Sequence, residues 1–181
     1  MITHLPDLAS ELGTTERTLR RAVAQGLVRA QRPSARKLEV LLGERAYLRR
    51  SWPLLASLRA TLRTEPLVSF AALFGSQARG EQHAWSDLDL VVALRAGADR
   101  EALADRLAQR VQADVQLVDL DDARAAPLLL AEILREGRVL VDRDAVWVEL
   151  VRRRSLILRA ADRERRRIDR EFAREFEGRA A

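Results

Sequence analysis

The sequence predicts an α+β protein: a small mixed β-sheet domain with helices, a basic helical head before it and a helical arm after it. Three observations carry this. Residues 67–74 and 88–94 are short, nearly uninterrupted apolar runs with the length of buried strands. A turn-rich segment from Gly75-Ser76 to Ser86-Asp87 separates them. On both sides of this block, apolar residues recur at helical spacing among many arginines.

The chain has 181 residues, 48% hydrophobic and 33% charged, enough for one sizeable core and a small satellite domain. It contains no cysteine, which excludes disulfides and thiolate metal sites. No apolar run reaches the length of a membrane span and no secretory leader precedes the first helix, so a cytoplasmic protein without a membrane partner is expected. Charge divides by region: +5 over residues 1–50, −4 over 51–142 and +4 over 143–181. Basic ends around an acidic middle point to polyanion partners outside the middle.

In the head, Leu5, Leu8, Ala9 and Leu12 have helical spacing and Gly13 breaks the helix. Thr14 or Thr15 is placed to cap a second helix over 16–25, with Leu19, Ala22 and Val23 inward and Gly26 at its end. Residues 27–30 and 37–41 read as the two strands of a small wing. This head, residues 1–42, resembles a winged or MerR-like helix-turn-helix. The resemblance implies binding to DNA, with Arg17, Arg20 and Arg21 of the second helix facing base edges or phosphates. A helical hairpin used for packing or dimer contact is the competing reading.

Residues 43–65 read as a linker helix, kinked or split at Pro53, with Trp52 packed between head and sheet domain. After the strand over 88–94, a helix over 100–111 leads to a strand over 115–120. A single helix capped by Asp121-Asp122 then runs to Arg135, and a last strand covers 139–141. The arm, residues 144–181, carries two stripes. Val148, Val151, Leu158 and Ala161 are expected to pack on the core; Ile168, Phe172 and Phe176 are left for a partner protein, a twin subunit in a homo-oligomer, or a polyanion.

The chemistry is concentrated between the first two strands. Alternation along a strand places Asp87 and Asp89 on one face and Leu88, Leu90 and Val92 on the other. Adjacent carboxylates repel, and a divalent cation such as magnesium relieves that repulsion while binding substrate phosphates. Gly75 lets backbone approach a ligand closely, and Ser76 offers a hydroxyl and free N–H groups to phosphate. His83 and Trp85 lie in the loop between: a solvent-facing histidine or a phosphate contact, and a packing residue or a wall for a base. P-loop, dinucleotide-binding, zincin and nucleophile-elbow motifs are all missing.

Gly75-Ser76, ten residues, then Asp87-Leu88-Asp89, with Arg79-Gly80 between, resembles the signature of the polymerase-β-like nucleotidyltransferases, in particular the minimal ones. The resemblance covers residues 67–142, inside a domain drawn at 66–143, and the finish over 136–142 also fits it. It implies two magnesium ions and transfer of a nucleoside monophosphate, AMP from ATP or another NTP, to a macromolecule. A third carboxylate on a neighbouring strand is implied as well: Asp114, with Asp119 as second choice. Asp87, Asp89 and Asp114 would then be catalytic and metal-binding; Gly75 and Ser76, assisted by Arg79, would hold the β- and γ-phosphates. Minimal members are often antitoxins that modify a partner toxin. The competing class is a DNA-binding regulator that keeps this domain as a nucleotide sensor or scaffold.

Overall fold

The computed structural model describes residues 2–34, 37–81 and 87–177; the expectations for His83, Trp85 and the Phe176 side chain fall outside what is described. The chain begins with β1 (Ile2–Thr3), α1 (Leu5–Glu11) and α2 (Glu16–Ala24). Pro6 sits in the first turn of α1, where a missing N–H is harmless. Thr15 caps α2 by accepting a hydrogen bond from the Thr18 N–H at 3.2 Å. The strands β2 (Gln31–Ser34) and β3 (Lys37–Leu41) follow, forming with β1 an antiparallel sheet in the order β1-β3-β2.

The first strand of that hairpin is not at 27–30. Gly26 leaves α2 with φ +82°, and the N–H groups of Leu27 and Val28 both donate to the Ala22 carbonyl, at 3.0 and 3.3 Å. Donors engaged in closing a helix end are lost to a strand ladder, so the hairpin starts later. Leu27 and Val28 are instead buried.

A single helix, α3 (Leu42–Thr64), continues through Pro53 and is not split there. Its buried residues Tyr47, Leu48, Ser51, Trp52, Leu55, Leu58 and Leu62 recur every three or four positions, and this packing outweighs the hydrogen bond lost at the proline. The sheet domain then follows in order: β4 (Val68–Leu73), α4 (Gly75–Arg79), β5 (Leu88–Leu94), α5 (Arg100–Val111), β6 (Val115–Asp119), α6 (Leu120–Ala125), α7 (Pro127–Glu136) and β7 (Arg138–Asp142). The helix expected from 121 to 135 is two helices. Pro127 lacks an N–H and holds Ala126 in an extended conformation, so α6 stops and α7 starts afresh.

The four strands lie in the order β6-β5-β4-β7, with β5 and β6 parallel and the other pairs antiparallel. Every residue of β4 is buried, because both faces of the sheet are covered. Val68, Ala71, Leu73, Leu88, Leu90 and Val92 pack with α3, α5 and the head in one continuous core. Phe70, Ala72, Phe74 and Val91 pack on the other side with α6, α7 and the arm. Head and sheet therefore share a core, and Trp52 lies buried within it.

The arm is α8 (Val146–Arg152) and α9 (Arg154–Glu177). Half of the expected stripe packs on the core: Ala161 is buried and Leu158 packs against the same cluster. Val148 and Val151 are instead 49% and 46% exposed, and Leu150 and Ile157 are buried in their place. The chain breaks at Arg153, so residues on either side no longer share one helical phase. Among the described residues no helix is long and apolar enough to cross a membrane.

Candidate active site

Strand β4 delivers Phe74 and Gly75 to the edge of the sheet, where the Phe74 N–H donates to the Asp89 carbonyl at 3.0 Å. Gly75 then turns with φ +71°, and a Cβ built on it would stand 2.7 Å from Asp89 Oδ2. Only glycine combines that dihedral with that contact. The Gly-Ser turn and the second aspartate are therefore pressed against each other, with Ser76 half-buried in the first turn of α4.

Asp89 is half-buried and Asp87 exposed at the mouth of the same strand. Burial first, then the charges of Asp87 and Glu132, raise the Asp89 carboxyl above its ordinary value, with Arg79 acting against them. A cation held by the two aspartates would reverse those effects, and a pair of hard carboxylates suits magnesium. Among the described residues, no three His, Cys, Asp or Glu side chains converge closely enough to enclose a metal ion by themselves. Two carboxylates plus phosphate oxygens and water remain a fitting donor set.

The parallel ladder decides what stands beside this pair. Asp89 is opposite Gln116 and Leu88 opposite Val115, while the Leu88 N–H donates to the Asp114 carbonyl at 2.9 Å. Asp114 and Gln116 alternate with Val115, so both share the face of Asp87 and Asp89. Asp114 is exposed next to the Asp87 end, and Gln116 is the residue level with Asp89. Asp119 is level with Val92, and its carboxylate accepts from the Asp121 N–H at 2.7 Å to cap α6. That is a structural position at the far end of the strand.

Arg79 is held by carboxylates: Glu81 at 2.7 Å, Glu136 at 2.5 Å and Glu132 at 3.3 Å. These partners raise its pKa further. Glu132 and Glu136, one turn apart on α7, thus tie that helix to α4, and Glu132 also brings negative charge towards Asp89. Neither they nor Gln116 stand out in the sequence. Spacing along α7 shows that the two glutamates share a face, but not which element the face meets.

A family model described as polymerase beta, nucleotidyltransferase, matches residues 56–146, from within α3 to the start of α8. The chain belongs to that family. All of Gly75, Ser76, Arg79, Asp87, Asp89 and Asp114 fall inside the matched stretch, and the head and most of the arm fall outside it. Among curated proteins this nucleotidyltransferase is similar to protein adenylyltransferase MntA of Shewanella oneidensis, 36% identical over 78 residues, covering 41% of this chain and 55% of that protein. The chain thus spans about half, 55%, of the length of the curated relative it matches. A crystal structure of a toxin–antitoxin with AMP-PNP is similar at 27% identity and TM-score 0.54, over 66% of this chain and 98% of that one. A mutant of an MntA toxin–antitoxin complex is similar at 25% identity and TM-score 0.54, over the same shares. The shared architecture is the minimal nucleotidyltransferase domain.

Proposed function

We propose that this nucleotidyltransferase transfers AMP from ATP, or the corresponding group of another NTP, to a hydroxyl of a macromolecular partner, as an antitoxin modifying a toxin-like protein. The observation that supports the reading is the close approach of Gly75 to Asp89 within a family member, which sets the Gly-Ser turn proposed for phosphate beside a carboxylate proposed for the metal. The acceptor oxygen attacks the α-phosphorus, the bond to the β-bridging oxygen breaks, and pyrophosphate leaves with the electron pair. Magnesium, when bound, offsets charge on the triphosphate and on the leaving group. On this reading Asp87 and Asp89 would hold it, Asp114, exposed beside Asp87, would join them and take the acceptor's proton, and Gly75 and Ser76 would line the β- and γ-phosphates. Arg79, already clasped by three glutamates, acts by holding α4 in place.

A macromolecular acceptor is supported by the exposure of Asp87 and Asp114 and by the similarity to a protein adenylyltransferase. The arm, with Ile168 exposed at 43%, offers an apolar edge for docking a partner or a second copy. The test is transfer of label from α-labelled ATP, with magnesium, to a co-purified partner. Asp87→Asn and Asp89→Asn each abolish it on this reading; near-native turnover in either refutes the assignment.

The head favours a second role beside the first, as a helix-turn-helix that binds duplex DNA. Arg17, Arg20 and Arg21 are exposed along α2, with Arg20 paired to Glu16 at 2.7 Å. Gel shift with the DNA upstream of the protein's own gene tests this, with no shift at low salt as the refuting result.

A further inference from the structure

We propose that a groove between α2, α3 and β7 is a binding site for a phosphoryl anion, separate from the catalytic carboxylates. It encloses about 440 Å³ and is lined by Arg21 and Gln25 of α2, Arg59 and Arg63 of α3, and residues 140–143. Three guanidinium groups from two helices thus face one space. None of them forms an ion pair among the described residues.

The groove's other charged groups are already engaged. Asp142 accepts from the Val146 and Trp147 N–H groups, at 2.8 and 3.1 Å, and so caps α8. Arg143 donates to the carbonyls of Leu62, Arg63, Glu65 and Val68, closing the end of α3. Arg59 donates one N–H to the Gln25 side chain, but its Nε is buried with no hydrogen-bond partner. Burial, then the charges of Arg63 and Arg21, lower the Arg59 pKa. The one carboxylate in the lining, Asp142, is committed to α8, and the Arg21, Arg59 and Arg63 charges clustered in one groove repel one another. One phosphoryl group, with several acceptor oxygens and negative charge, offsets that repulsion and matches the guanidinium fork.

The sheet register separates this groove from the transfer site. Phe70 of β4 is opposite Asp142, whereas the Leu73 end, next to Gly75, is opposite Arg138. The anion therefore sits at the other end of β7 from Asp89. Its source is either a free phosphate or polyphosphate, or the backbone of a duplex laid along α2, since Arg21 belongs to both surfaces.

The experiment uses the full chain, Arg63→Gln, and Arg59→Gln with Arg63→Gln. Thermal melting is followed in chloride, inorganic phosphate and pyrophosphate at matched ionic strength, and duplex binding is titrated against salt. Both variants should melt no lower than wild type in chloride, because like-charge repulsion is reduced. Protection of wild type by phosphate or pyrophosphate, lost in the variants, supports the site with a free phosphoryl source. A salt slope for duplex binding that falls by about one unit per arginine removed supports it with a backbone source. No anion-specific protection together with an unchanged slope overturns it. Protection by phosphate without any duplex binding leaves the groove standing and removes the DNA reading alone.

Discussion

Arg138 and Glu44 form a buried two-pronged ion pair, with N–O distances of 2.6 and 2.9 Å, that joins the last strand of the sheet to the first turn of α3. The Arg138 guanidinium also lies 3.6 Å from the centre of the Tyr47 ring and donates to the carbonyls of Ala78 and Leu27. One side chain therefore reaches the head, the long helix and α4 at once. Removing Glu44 leaves a buried cation facing no counter-charge. Glu44→Ala should destabilise the protein by about 3–5 kcal/mol in urea unfolding, with Arg138→Met added to it recovering much of the loss. Losses that simply add would show that the two residues act separately.

Gly75→Ala should impair both stability and transfer. The positive φ alone costs about 1–2 kcal/mol for a residue with a Cβ, and the new methyl is forced onto Asp89. Gly13 is the internal control: its φ is +61°, but a Cβ there meets nothing within 4 Å. Gly13→Ala should lower the melting temperature and leave label transfer intact. Equal effects on transfer from both substitutions would remove the contact from the mechanism.

Asp89→Asn should raise the melting temperature of the metal-free protein at neutral pH. The folded-state pKa of Asp89 lies above its unfolded value, so the ionised form is the one that folding disfavours. The penalty is fully present above the folded pKa, fades as pH falls through it, and is gone below the unfolded pKa. The advantage of the variant should shrink in the same window. Melting in chelator across acidic pH checks this; an advantage that does not change with pH would assign it to packing instead.

Asp114→Asn and Gln116→Ala separate the two residues that β6 offers to the aspartate face. If Asp114 completes the metal set and takes the acceptor's proton, its loss should lower transfer by about 10²–10⁴-fold, the range of a missing acid–base group. The loss should ease at raised magnesium. Gln116→Ala should cost much less. The reverse order would move the third position to the residue level with Asp89.

The sequence alone determined what depends on neighbours along the chain. Alternation in 88–94 put Asp87 and Asp89 on one face, glycine marked the turn at 75, and helical spacing placed Tyr47, Leu55, Leu58 and Leu62 on the buried side of α3. These follow from backbone periods of 2 and 3.6, which need no partner. The phase of the arm, the late start of the hairpin and the continuity of α3 through Pro53 were decided by donors and packing surfaces from other segments. The same holds at the site. Only the β5–β6 register makes Gln116 level with Asp89, and only the docking of α7 sets Glu132 and Glu136 around Arg79. A one-residue slip of β6 would turn Asp114 to the opposite face without altering a single local preference, so strand pairing, a long-range contact, holds that information.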